Sequence, residues 1–318
     1  MKIVVTGSVA YDYLMKFPGK FTDHILPDQL HQISLSFLVE SMVKLRGGTA
    51  AGIAYTQALL GGNPTIMAAV GNDFADYGAW LEEVGVDTSA IRVIKDKTCA
   101  SFFANTDSEQ NQIASFYTGA MAHAGELSFE EDAPSADLII ISPNDPVAMQ
   151  NYVREAKQLG LDYIYDPSQQ TIWLSGDDLK EGLEGCYMLA VNEYEMGMIE
   201  EKTGLSRVEI SEKARGVLVT KGKNGSELLF DGERYEIPIV PISEAVDPTG
   251  AGDAYRAGMM RGIQLSMPWE ICGRMGALAS AYVLESNGPI GHSYTIAEFI
   301  ERYRQNFDDN GALDALLK

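Results

Sequence analysis

The chain has 318 residues, and 24 Lys and Arg against 45 Asp and Glu leave a formal net charge of −21. A pI near 4.5 argues against nucleic acid as a partner, because phosphate contacts are made chiefly by Lys and Arg. A hydrophobic content of 46% with 22% charged residues excludes collagen-like, mucin-like and wholly disordered chains, and the three cysteines contain no Cys-x-x-Cys pair that would suggest zinc or a disulfide framework.

Taken in chain order, short β-branched runs alternate with segments of helical period, the signature of a parallel sheet covered by helices. Ile3 to Thr6 reads as the first buried strand, too short an apolar run for a signal peptide. A helix over Ala50 to Leu60, a strand over Thr65 to Val70 and a helix over Phe74 to Val84 follow. Further on come strands at Leu138 to Ile141, Tyr163 to Tyr165, Met188 to Val191 and Val217 to Thr220, with helices at Val147 to Leu159 and Glu193 to Glu201. A hairpin is predicted from Ser226 to Phe230 and Arg234 to Ile237 around Asp231-Gly232. Three helices close the chain, at Gly250 to Gln264, Pro268 to Leu284 and Thr295 to Arg304. No stretch of about 18 apolar residues appears, so no membrane contact and a cytoplasmic location are expected.

Two stretches break the rhythm. About 11–45 and about 98–116 are extended and rich in aromatics, and are expected to pair as a small β lid on a single α/β domain spanning 1–318.

The strongest chemical signal is Asp247-Pro248-Thr249-Gly250-Ala251-Gly252-Asp253-Ala254-Tyr255 at a helix start. Small residues there let an anion approach N–H groups that lack intrahelical partners, at the positive end of the helix dipole. Asp253, in the first turn beside such a cradle, is placed to take a proton from an attacking hydroxyl. No Gly-x-x-x-x-Gly-Lys-Ser/Thr occurs, and Tyr255 stands where a dinucleotide fingerprint needs glycine. Asn192 and Glu195 share one face of a helix start after a strand, where they could hold the water shell of Mg²⁺ or serve as an N-cap with a solvated Glu. Thr220-Lys221-Gly222-Lys223-Asn224-Gly225 reads as a phosphate-tail loop or an ordinary turn. Gly47-Gly48 permits close ligand approach, and Asp12 offers two acceptor oxygens to neighbouring sugar hydroxyls or is an exposed turn carboxylate.

Together these residues resemble the ribokinase, or PfkB, family of carbohydrate and nucleoside kinases over nearly the whole chain. Asp247 to Tyr255 is similar to that family's C-terminal signature, the run from Gly61-Gly62-Asn63 to Gly85-Val86-Asp87 to its N-terminal one, and Asn192-x-x-Glu195 to its Asn-x-x-Glu element. The resemblance implies a doubly wound, mainly parallel sheet with a β lid. It implies Asp253 as catalytic base, and Gly250, Ala251 and Gly252 as an anion hole. Asn192 and Glu195 would hold Mg²⁺ through water, while Thr220, Gly222 and Gly225 would lie along the phosphates of ATP. Asp12, Gly47 and Gly48 would bind the acceptor. A monovalent cation such as K⁺ beside Asp247 and Thr249, and a homodimer, are compatible with it.

Gly52 stands where the family often carries a sugar-binding Asn, and the stretch Tyr165-Asp166-Pro167-Ser168-Gln169-Gln170 looks like prokaryotic adenosine-kinase-like members. Aromatics of the lid, Phe37, Phe102, Phe103, Phe116 and Tyr117, suit a stacked base. The expected activity is therefore transfer of the γ-phosphate of ATP to a nucleoside 5′-hydroxyl, adenosine first. A sugar kinase of ribokinase or fructokinase type and a non-catalytic nucleotide-binding regulator are the alternatives.

Overall fold

The computed structural model describes residues 1–25, 31–32 and 34–318. Its strands are β1 Ile3–Thr6, β2 Ala10–Lys16, β3 Ser41–Gly47, β4 Thr65–Gly71, β5 Ile91–Ile94, β6 Ala100–Thr106, β7 Gln112–Tyr117, β8 Leu138–Ile141, β9 Asp162–Tyr165, β10 Met188–Asn192, β11 Gly216–Thr220, β12 Ser226–Phe230 and β13 Glu233–Ile237. The helices are α1 Thr49–Leu59, α2 Ala75–Glu83, α3 Phe129–Asp132, α4 Pro146–Leu159, α5 Gly176–Leu183, α6 Glu193–Thr203, α7 Arg207–Lys213, α8 Ala251–Gln264, α9 Trp269–Leu284 and α10 Ile296–Asn306.

Nine strands form one sheet in the order β13-β12-β11-β10-β9-β8-β1-β4-β5, parallel except for the β12–β13 hairpin at one edge. Because side chains alternate along a strand, Ile3 and Val5 of β1 bury on one face with α1, α2 and α8, while Val4 buries on the other with α4, α5 and α6. Both faces are covered, which gives the doubly wound α/β class expected from the alternating pattern. The strand order reverses at β1, between β8 and β4, and in such sheets ligands bind beyond the carboxyl ends of the strands near that point.

A second sheet has four strands in the order β3-β2-β6-β7. β2 and β3 run antiparallel, β2 and β6 parallel, and β6 and β7 antiparallel, so the two chain excursions lie side by side and join through the β2–β6 pair. The parts of the first excursion at 26–30 and 33 lie outside the described residues. Among those described, no helix is long and apolar enough to cross a membrane.

Candidate active site

Alternation along β2, β6 and β7 decides which side chains of the second sheet face the main sheet. Asp12, Phe102 and Phe116 pair across adjacent strands and so share one face, and all three line a cavity of about 350 Å³. Tyr13 and Phe103 lie on the opposite face, where their rings stack with centroids 4.8 Å apart. Tyr117 shares that outer face, and Phe37 packs instead against Phe17 and Phe21. Of the five aromatics suggested for base stacking, then, two reach the cavity.

The rest of that cavity comes from the carboxyl ends of the main strands. Ser8 follows β1, Ser168 and Gln169 follow β9, Asn192 ends β10, Thr220 ends β11, and Gly250, Gly252 and Asp253 begin α8. Gly48 also lines it, and does so with φ of 98° in a place where a Cβ would sit 2.4 Å from the Ser8 carbonyl oxygen. Gly47 lines neither this cavity nor the next; its missing side chain makes room for Asp12, whose Oδ2 would lie 2.4 Å from an added Cβ. Burial, and then the nearby Asp247, push the Asp12 carboxyl up to about 6.

A second cavity, of about 420 Å³, shares Asn192, Thr220, Gly252 and Tyr255 with the first. Gly222, Gly225 and Ala251 line it near the shared wall, and Pro238, Ile239, Val240, Ala281 and Leu284 supply apolar lining. Volumes of this size suit small organic ligands. The two spaces meet at the start of α8. There Gly250 caps the helix with φ of 84° and no side-chain cap, and the N–H groups of Gly252 and Asp253 find no acceptor among the described residues. Two cavities that join at unpartnered helix N–H groups offer space for two ligands with a place suited to an anion between them.

Asp253 stands at that junction with its side chain 15% exposed. Burial is the main reason its carboxyl is pushed up to about 7, with Arg256 opposing the rise and Asp166 and Glu195 adding to it. A group titrating there is ionised in a substantial fraction near neutral pH and suited to general-base work. Position 52 on α1 faces it, since a Cβ on Gly52 would lie 3.4 Å from Asp253 Oδ2.

Asn192 and Glu195 form a capping box on α6. Asn192 Oδ1 accepts the Glu195 N–H at 2.8 Å, and Glu195 Oε2 accepts the Asn192 N–H at 2.8 Å. This leaves Glu195 Oε1 and Asn192 Nδ2 without partners among the described residues. No group of three His, Cys, Asp or Glu side chains is arranged to hold a metal directly among those residues. The donors present fit Mg²⁺ held through its water, because that ion keeps much of its hydration shell. Glu195→Gln is expected to raise the Mg²⁺ concentration needed for half-maximal activity severalfold while moving the acceptor KM less; an unchanged Mg²⁺ titration would assign Glu195 to helix capping alone.

Sequence reasoning passed over Arg256 and the role of Asp166. The Arg256 guanidinium is 8% exposed and Asp166 is fully buried, and they meet at 2.6 Å. An Arg three residues after Asp253 on an otherwise small-residue helix face was the available signal, since a buried cation demands a buried partner.

A family model for pfkB family carbohydrate kinases matches residues 5–295. The chain belongs to that family. This kinase is accordingly a phosphotransferase acting on a hydroxyl group. It is similar to the nucleoside kinase of Methanothermobacter thermautotrophicus, with 30% identity over 305 residues that cover 95% of each chain. Among solved structures, the nucleoside kinase of Burkholderia thailandensis in complex with inosine matches with a TM-score of 0.86 and 33% identity, over 96% of this chain and 98% of its own. The Methanocaldococcus jannaschii nucleoside kinase matches with a TM-score of 0.86 at 26% identity, over 96% and 99% of the two chains.

Proposed function

We propose that this kinase transfers the γ-phosphoryl group of ATP to the 5′-hydroxyl of a nucleoside, with adenosine the first acceptor to try. The observation that carries the nucleoside reading is the placement of Phe102 and Phe116 on the same lid face as Asp12, all three opening into the cavity that holds Asp253. Two aromatic rings beside a carboxylate suit a base joined to a ribose, with Asp12 accepting hydrogen bonds from the sugar hydroxyls. The relatives support it too, since the Burkholderia thailandensis enzyme was solved with inosine and in an ADP-inosine complex.

Asp253 would accept the proton of the acceptor hydroxyl, while the N–H groups of Gly252 and Asp253 take up charge on the transferred group. Thr220, Gly222 and Gly225 would line the donor phosphates, with the adenine in the apolar part of the second cavity. Mg²⁺, held through water by Asn192 and Glu195, would neutralise charge on the donor phosphates. We propose a single domain whose four-stranded sheet acts as a lid and excludes water that would compete as acceptor. Asp247 engages both its oxygens, Oδ1 with the Thr249 N–H and Oδ2 with the Gly288 N–H, so a monovalent cation beside it would depend on other oxygens. The lid's outer face exposes Met42, Phe103, Ile113 and Tyr117, and a second copy of the chain is the proposed cover for it.

The deciding experiment is an ADP-release assay over adenosine, inosine, cytidine, ribose and fructose. Base stacking on protein side chains contributes roughly 1 to 3 kcal/mol, so the best nucleoside should exceed either sugar in kcat/KM by about tenfold to hundredfold. Faster turnover of ribose or fructose than of every nucleoside would replace the nucleoside reading by the sugar-kinase one. Absence of ADP release with all five would place the acceptor outside these compounds and overturn the adenosine assignment.

A further inference from the structure

We infer that Arg256, anchored by Asp166 and Ser168, is the positioning residue of the Asp253 carboxylate, so that a buried charge chain runs from the end of β9 to the start of α8. The inference rests on the reading of Asp253 as general base.

The geometry is that of one guanidinium shared by two carboxylates. Arg256 Nη2 donates to Asp166 Oδ1 at 2.6 Å and to Ser168 Oγ at 2.7 Å, while Nη1 lies 3.6 Å from Asp253 Oδ1. Ser168 Oγ donates in turn to Asp166 Oδ1 at 2.6 Å. The second Asp166 oxygen and Arg256 Nε are buried without hydrogen-bond partners among the described residues, and Ser168, Arg256 and Asp253 all line the first cavity.

Two local features show that the backbone accommodates this arrangement, one by strain and one by an absent side chain. Ser168 adopts φ of 37°, in the left-handed region that a residue with a Cβ rarely enters. Strain of that kind persists where the surroundings impose it, and it occurs commonly at functional sites. Gly252 carries no side chain where a Cβ would sit 2.7 Å from Arg256 Nη1, so the glycine of the anion cradle also clears the path of the guanidinium.

The charged groups facing Asp253 are Arg256 from its own helix, Asp166 from the end of β9 and Glu195 from α6, and the uncharged Gly52 of α1 lies against it. Among these groups Arg256 is the one cation, and it orients the carboxylate and opposes its protonation. Asp166 has the reverse influence, both by its own charge and by engaging the guanidinium. The two residues therefore act on Asp253 with opposite sign, and a merely structural pair would not.

The test is the pH dependence of kcat, at saturating nucleoside and MgATP, for the full-length enzyme and its Arg256→Met, Arg256→Lys and Asp166→Asn variants. Arg256→Met should move the acidic limb upward by about one pH unit, roughly a tenfold loss at a fixed pH on that limb, with the ATP KM changed much less. Arg256→Lys should restore part of that shift. Asp166→Asn should move the limb downward, because Asp253 is then the one carboxylate paired with the guanidinium among the described residues. Should Arg256→Met fail to fold with Asp166 unpaired, Asp166→Asn and the neutral double variant Arg256→Met/Asp166→Asn still decide the matter. An unmoved limb, or a shift of the same sign in the two single variants, overturns the inference. Asp253→Asn measured alongside separates the two readings: its full activity defeats the base assignment, whereas its inactivity together with unmoved limbs defeats the positioning role alone.

Discussion

Asp253→Asn is expected to lower turnover by about 10²- to 10⁴-fold, the range associated with loss of a general base, while raising the stability of the folded chain above neutral pH. The first effect follows from the position of Asp253 beside the unpartnered N–H groups at the start of α8, where an acceptor hydroxyl and the transferred group would meet. The second follows from burial, which pushes its carboxyl from an ordinary 3.8 to about 7. A carboxyl raised in the folded state stabilises the fold fully below its unfolded pKa, and that contribution is lost as pH rises through the folded one. Between about pH 4 and pH 7 the wild type therefore loses stability that an uncharged Asn retains, on the order of 4 kcal/mol at most by pH 8. Melting curves should show the variant ahead at pH 8 and level with the wild type near pH 4. Equal melting temperatures at pH 8 would mean that the ionised carboxylate is solvated or paired better than its surroundings indicate. Turnover near wild type would remove Asp253 from the base role. The paired outcome, less active and more stable, is what a charge kept in a desolvated site for chemistry should give.

Much of this architecture is legible in the chain because its signals are local. Ile3–Thr6 and Leu138–Ile141 are short runs, apolar but for Thr6, buried on both faces, and their ends agree with the sequence reading to the residue. The start of α8 is legible because Gly250, Ala251 and Gly252 precede an acid in the first helical turn. What escapes has weak local pattern. β5, Ile91–Ile94, is a four-residue edge strand interrupted by Arg92, and its one partner in the sheet is β4. α5 opens on Gly176-Asp177-Asp178, residues that carry no helical period, yet Ser175 and Asp178 close a capping box that starts a helix there. The Asp166–Arg256 contact spans 90 residues of sequence, and no local periodicity brings its two halves together. The same holds for the aromatics of the second sheet: composition places them in the extended excursions, but strand register is what turns Phe102 and Phe116 toward the cavity and Phe103 away from it.

Gly250→Ala is expected to reduce kcat by about 10²- to 10³-fold in a protein that still folds, the loss seen when an oxyanion-hole donor is removed. Gly250 has φ of 84° and ψ of −5°, a left-handed conformation that costs an L-residue roughly 1 to 2 kcal/mol. Strain alone would be tolerable, but an added Cβ would also lie 2.9 Å from the Pro289 Cα and carbonyl oxygen, so either the turn before α8 or the loop around Pro289 must move. Those two segments are tied through Asp247, which accepts the Thr249 N–H at 2.9 Å and the Gly288 N–H at 3.1 Å. Displacement of either one therefore re-aims the N–H groups of Gly252 and Asp253. Asp12, Phe102 and Phe116 belong to the other sheet, so the nucleoside KM should change far less than kcat. Gly204→Ala is the control, because φ there is 69° but nothing lies within 4 Å of an added Cβ. It should match Gly250→Ala in the strain component of its melting shift and keep wild-type turnover. If Gly250→Ala keeps kcat within about threefold, the start of α8 is not where the transferred phosphoryl group is held, and the anion-cradle reading of these glycines falls with it.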